Sequence, residues 1–180
     1  MRRLIVSNAM SLDGFFEGSK KEIAWFPVDE EFFGYAKDML RRADTLLFGR
    51  ATYEHMAAYW PTAPAEEIAD KMNGLPKLVA SRTLQEASWN NSKVIKANVA
   101  EEIAKLKQLP GKDIVLLGSS VLASSLLQEG LIDEYRVILA PLLIGRGGPL
   151  FKDISRQIKF KLEKTLLLKS GVIVLYYQTA

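Results

Sequence analysis

The stretch L-L-F-G-R-A-T-Y-E, residues 46–54, decides how this chain is read. A short apolar run reads as a buried strand, Gly49 stops it, and Arg50 starts a predicted helix that breaks at Pro61. A strand that turns straight into a helix brings free backbone N–H groups and a partial positive charge to the strand's carboxyl end. That suits a phosphate. The pattern recurs in K-L-V-A-S-R-T (77–83) and D-I-V-L-L-G-S-S (113–120), and the latter also opens a helix. Gly49 and Gly118 let backbone approach a ligand closely, and Arg50 and Arg82 have the planar fork that grips a phosphate with two hydrogen bonds. Each cluster alone fits an ordinary turn equally well, with solvated arginines and Ser119 or Ser120 as a helix cap. Together they describe complementary parts of one ligand: two helix ends for a pyrophosphate, and Ser81 with Arg82 for a further phosphate.

Working outward, Leu4 to Met10 reads as a first buried strand, and 11–18 as a loop with glycines near both ends. Residues 29–42 have helical spacing with acids in the first turn. A short helix over 65–73 ends at Gly74, and strands follow at 77–80 and 93–96. Asn98 and Glu101 predict a capping box for a helix that stops before Pro110. After a helix over 120–128 the pattern changes. Residues 134–141, 159–169 and 172–178 read as strands without helices between them, and Lys169 to Gly171 as a hairpin turn. The expected class is α/β: a mostly parallel central sheet with a C-terminal antiparallel hairpin at its edge, and no domain boundary over residues 1–180.

Composition narrows the function. Of 180 residues, 24 are Lys or Arg and 21 Asp or Glu, a net charge of +3 that is spread along the chain. Nothing forms a basic stripe, so nucleic acid is not an expected partner. With no cysteine, disulfides, thiolate metal sites and a cysteine nucleophile are excluded. The apolar start is too short for a signal-peptide core or a membrane span, so a cytoplasmic location is expected, with no membrane partner and no metal.

The order F-G-R-A-T-Y-E, V-A-S-R-T, L-L-G-S-S, closed by antiparallel strands, resembles the dihydrofolate reductase fold, a three-layer α/β/α arrangement. S-L-D-G (11–14), G-S-S (118–120), L-I-D-E-Y (131–135) and A-P-L-L-I-G-R-G-G-P-L-F (140–151) are closer to the C-terminal reductase domain of riboflavin-biosynthesis enzymes, the RibD C-terminal family. The resemblance spans nearly the whole chain. It implies NADPH as cofactor, held by Gly49, Arg50 and Thr52 around the pyrophosphate and by Ser81 and Arg82 at the 2′-phosphate. Gly118, Ser119, Ser120 and Val121 would lie against the pyrophosphate, and Ala9 would touch the nicotinamide carboxamide through its backbone. Loop 11–18, hinged at Gly14 and Gly18, would fold over the nicotinamide. A homodimer is also implied, with the hydrophobic terminal strand as its pairing edge.

For catalysis, Asp13 is a candidate at the expected nicotinamide edge, and it equally suits an Asp–Gly turn. Glu31, with Asp29 and Glu30, lies near the family's pterin-binding acid, although acids in a first helical turn ordinarily complement the helix dipole. The threonine that partners that acid is absent from R-V-I-L-A-P (136–141), which argues against folate. His55 reads as a surface or packing residue, Trp25 and Phe26 as walls of a substrate cleft, and Arg146 as a contact for an anionic substrate or simply part of a turn. The expected function is NADPH-dependent reduction of a pteridine- or pyrimidine-type heterocycle, similar to 5-amino-6-(5-phosphoribosylamino)uracil reductase. Dihydrofolate reduction and non-catalytic NADPH binding are the alternatives.

Overall fold

The structure is a computed structural model that describes residues 1–179. The predicted apolar runs form the centre of the sheet. Strand β1 (Leu4–Ser11) leads through a tight turn to a short strand β2 (Phe15–Gly18). Helix α1 (Glu30–Arg42), strand β3 (Ala43–Gly49), helix α2 (Arg50–Tyr59) and a 3-10 turn (Trp60–Thr62) follow. Next come α3 (Glu67–Gly74), β4 (Lys77–Ala80), β5 (Ser92–Ile95), α4 (Val99–Gln108), β6 (Asp113–Leu117) and α5 (Ser120–Gln128). The chain ends with β7 (Glu134–Ala140), the short β8 (Gly147–Pro149), β9 (Phe160–Leu167) and β10 (Ile173–Thr179).

Eight strands form one sheet in the order β5-β4-β3-β6-β1-β7-β10-β9, while β2 and β8 pair separately. Strands β5 to β7 are parallel, and β10 runs antiparallel to both β7 and β9. Apolar side chains alternate between two cores, as a pleated sheet covered on both faces requires. Ile5, Leu46, Phe48 and Val115 pack with α1, α2 and α3 on one face. Leu4, Val6, Leu47 and Leu116 pack with α4 and α5 on the other.

Three local expectations change. Asn98 precedes α4 in a left-handed conformation (φ 53°) and its side chain makes no capping hydrogen bond, while Glu101 pairs with Lys105 at 2.8 Å. No capping box forms. Loop 11–18 is half strand: β2 pairs with β8, and the Leu150 amide donates to the Gly14 carbonyl at 3.0 Å. The terminal strand β10 lies between β7 and β9, so it offers no free edge for a partner. The outer strand is β9, where Lys161, Glu163 and Lys164 blunt the edge. Among the described residues, no helix is long and apolar enough to cross a membrane.

Candidate active site

The site arises where two parallel strands stop pairing. Strand β1 pairs with β6 only as far as Ser7 and Leu117, yet continues beside β7 to Ser11 and Ala140. Beyond Ser7 the edge of β1 that faces β6 is therefore open, and a cleft of ≈ 640 Å³ begins there. Asn8, Ala9, Leu117 and Gly118 border its floor. This is the carboxyl end of an open α/β sheet, where such folds bind ligands.

All three sequence clusters reach that end of the sheet, because β4, β3 and β6 are consecutive neighbours. The first and third are joined directly. The Ser119 amide donates to Thr52 Oγ1 at 3.0 Å, so the N-termini of α2 and α5 meet. Gly118 (φ +66°) makes this approach possible, since a Cβ there would lie 2.6 Å from Thr52 Cγ2. A Cβ on Gly49 would collide with the Ser119 side chain. Ser119, itself left-handed, caps α5 by accepting from the Leu122 amide, and Ser120 is buried behind it.

The second cluster joins the first through Arg50, which donates to Thr83 Oγ1 at 2.9 Å and lies 3.6 Å from Glu54. Ser81 Oγ shapes its own turn by accepting from the amides of Thr83 and Leu84. Arg82 is exposed and makes no ion pair among the described residues. Val121 is 60% exposed and stands outside the cleft wall.

The two carboxylates expected to be catalytic are committed elsewhere. Asp13 accepts from Ser11 Oγ at 2.6 Å and from the amides of Ile144 and Gly145 at 3.2 and 2.7 Å. The Ser11 hydroxyl first, and then these amides, hold its carboxyl below the usual carboxylate range. It pins the 143–147 loop and does not line the cleft. Glu31 accepts from the Lys169 amide at 2.7 Å and lies 3.3 Å from Lys169 Nζ, so it fastens α1 to the β9–β10 turn. Asp29 caps α1 by accepting from the Phe32 amide.

A carboxyl whose folded-state pKa is depressed stabilises its surroundings above its unfolded value, and loses that effect as pH falls through the folded value. Accordingly, the Gly145 amide proton should shift upfield as pH drops below the ordinary carboxylate range. In Asp13→Asn the amide titration should be absent. An unchanged titration in that variant would show that another group anchors the loop.

Trp25 and Phe26 do line the cleft, as the sequence indicates. His55 lines it too, which sequence reading missed. A signal was there: Thr52, His55 and Met56 are three and four residues apart on α2, so they share one face. Glu17, paired with Lys152 at 3.4 Å, and Lys21 complete the cleft's charged lining. Tyr35 Oη is held 2.8 Å from Ser7 Oγ, and burial pushes its pKa up to about 12. It stays protonated at neutral pH. Arg146 is exposed and outside the wall. Among the described residues, no group of three or more His, Asp or Glu side chains gathers to hold a metal.

A mostly parallel sheet, an antiparallel C-terminal hairpin and a cleft opening beside the first strand define the dihydrofolate reductase-like fold. Residues 2–174 match the RibD C-terminal domain, and the chain belongs to that family. It is 36% identical over 180 residues to the Bacillus subtilis (strain 168) protein YyaP, covering 98% of this chain and 94% of that one. A Shewanella sp. PV-4 protein named for riboflavin biosynthesis superposes with a TM-score of 0.78 at 24% identity, covering 99% of both chains. Dihydrofolate reductase from Enterococcus faecalis, solved with NADP(H) and RAB-propyl, has the same fold at a TM-score of 0.65 and 18% identity, covering 98% of this chain and 96% of that one.

Proposed function

We propose that the chain is an NADPH-dependent oxidoreductase that reduces a pteridine- or pyrimidine-type heterocycle. One observation carries this reading: the junctions after β4, β3 and β6 converge beside the cleft, with two helix N-termini locked together by Thr52 and Ser119. The residues present fit the cofactor. Gly118 and Gly49 keep the two helix ends close, Arg50 stands at the first, and Arg82, exposed and without an ion pair among the described residues, follows the neighbouring strand β4. In this reading the two helix ends and Arg50 hold the pyrophosphate, Ser81 and Arg82 hold the 2′-phosphate, and the open edge of β1 at Ala9 meets the nicotinamide. When bound, NADPH supplies the hydride. The protein orients the ring and passes a proton, and His55 lines the cleft as a group able to do so. Family membership supports the reductase assignment, and the engagement of Asp29 and Glu31 away from the cleft weighs against dihydrofolate.

Arg82→Ala should weaken NADPH by about 1–3 kcal/mol, roughly five- to 150-fold, and leave NADH nearly unchanged. Titrating both nucleotides against wild type and variant tests this. Equal weakening of the two would remove Arg82 from the 2′-phosphate. NADPH binding without hydride transfer across a panel of heterocycles would instead leave a binding protein.

A further inference from the structure

We propose that the cleft takes an uncharged, bicyclic heteroaromatic substrate and disfavours a phosphoribosyl-bearing pyrimidine; this rests on the reductase reading and narrows it. One wall of the cleft is built by the 23–28 segment and by α1, α2 and α3. Trp25, Phe26, Phe32, Met56 and Met72 line it, together with Trp60 of the 3-10 turn. Phe26 meets Phe32 edge-on at 4.9 Å between ring centres, and Trp25 meets Phe26 in the same way at 6.0 Å. Such an array, with polarisable methionine sulfurs beside it, favours a flat conjugated ring.

The charges point the same way. A phosphate monoester brought out of water needs cationic partners, and two forked arginine contacts are the usual provision. Among the described residues the wall contains no arginine, and Lys21, its one lysine, is exposed. Two arginines on the elements around it are engaged elsewhere. Arg41 binds Glu67 at 2.5 and 2.8 Å from α1 to α3, and Arg136 is buried against Glu134 beneath Tyr35 and Tyr176. Anionic partners for a cationic ring are likewise taken: Glu17 faces Lys152, Glu31 faces Lys169 and Asp29 caps α1. Apart from the exposed Lys21, the paired Glu17 and His55, the cleft lining thus offers neither charge a partner. A cleft of ≈ 640 Å³ has room for a nicotinamide and a two-ring substrate side by side. Such a ring would gain two electrons overall, with hydride at a C=N carbon and a proton at the adjoining nitrogen, while NADPH becomes NADP⁺.

Calorimetric titration of the full chain with quinoxaline, and separately with 5-amino-6-(5-phosphoribosylamino)uracil, tests the proposal with and without NADP⁺. Quinoxaline should bind at least about tenfold more tightly, and Trp25→Ala should reduce that preference. Equal or tighter binding of the phosphorylated compound, or no binding of quinoxaline, would overturn it. The reductase reading fails on a separate result, namely absence of NADPH binding, because the ring titrations need no turnover.

Discussion

Lys77→Met should cost about 3 kcal/mol of folding stability. Lys77 is 1% exposed at the start of β4 and has no carboxylate partner among the described residues. Its ammonium instead donates to the carbonyls of Asn73, Leu75 and Asn90 at 3.0, 2.7 and 2.9 Å, and sits 4.5 Å from the centre of the Trp89 ring. Two of those carbonyls belong to the end of α3, where helix carbonyls lack partners and a cation complements the dipole. Methionine keeps the apolar stem but strands three part-buried acceptors. Urea unfolding of the two proteins measures the difference, and a loss below about 1 kcal/mol would mean that water replaces the ammonium at little cost. Burial pushes the Lys77 pKa down to about 8 from 10.5. Between these values the unfolded chain keeps a proton that the folded chain has released, so this group's contribution to stability rises with pH across that interval. The variant should lack that slope.

Gly118→Ala should weaken NADPH binding by at least about tenfold, and Gly130→Ala should leave it unchanged. Both glycines have positive φ, +66° and +69°, so alanine imposes a backbone cost of about 1–2 kcal/mol at either. Their surroundings differ. Nothing lies within 4 Å of a Cβ on Gly130, whereas at Gly118 the methyl would press on Thr52 Cγ2 at 2.6 Å and Oγ1 at 2.7 Å. To make room Thr52 must move, and its hydrogen bond from the Ser119 amide goes with it. The pair of variants separates backbone strain from distortion of the joined helix ends. If both lose stability alike and both keep NADPH, the α2–α5 junction is not part of the cofactor site.

The sequence revealed the strands that carry the proposed cofactor site because each is a short apolar run stopped by a small or polar residue. L-L-F, K-L-V-A and D-I-V-L-L became β3, β4 and β6 with few changes at their ends. Their adjacency was not legible, since the register between parallel strands is set by packing across long separations. Nothing in the local sequence marks Lys77 as buried, because only tertiary contacts bring three carbonyls onto it. Phe15–Gly18 and Gly147–Pro149 were too short and glycine-rich to read as strands. Asp13 and Glu31 had suitable chemistry at suitable positions in the chain. Their partners, the 143–147 loop and the hairpin turn at Lys169, lie more than a hundred residues away, and these decided where the carboxylates point.

The walls of the cleft come from different parts of the chain. Its aromatic and methionine wall lies within residues 23–72, between the first strand and β4, while Ser81, Arg82 and Gly118 to Ser120 come later. Helices α1 and α3 can therefore acquire new side chains toward the ring without disturbing the turns after β4 and β6. In a lineage built on this plan, the preferred compound can drift while the nucleotide stays fixed. Selection or design aimed at a new substrate therefore has α1 and α3 to rewrite, with Gly49 to Thr52 between them kept for the nucleotide.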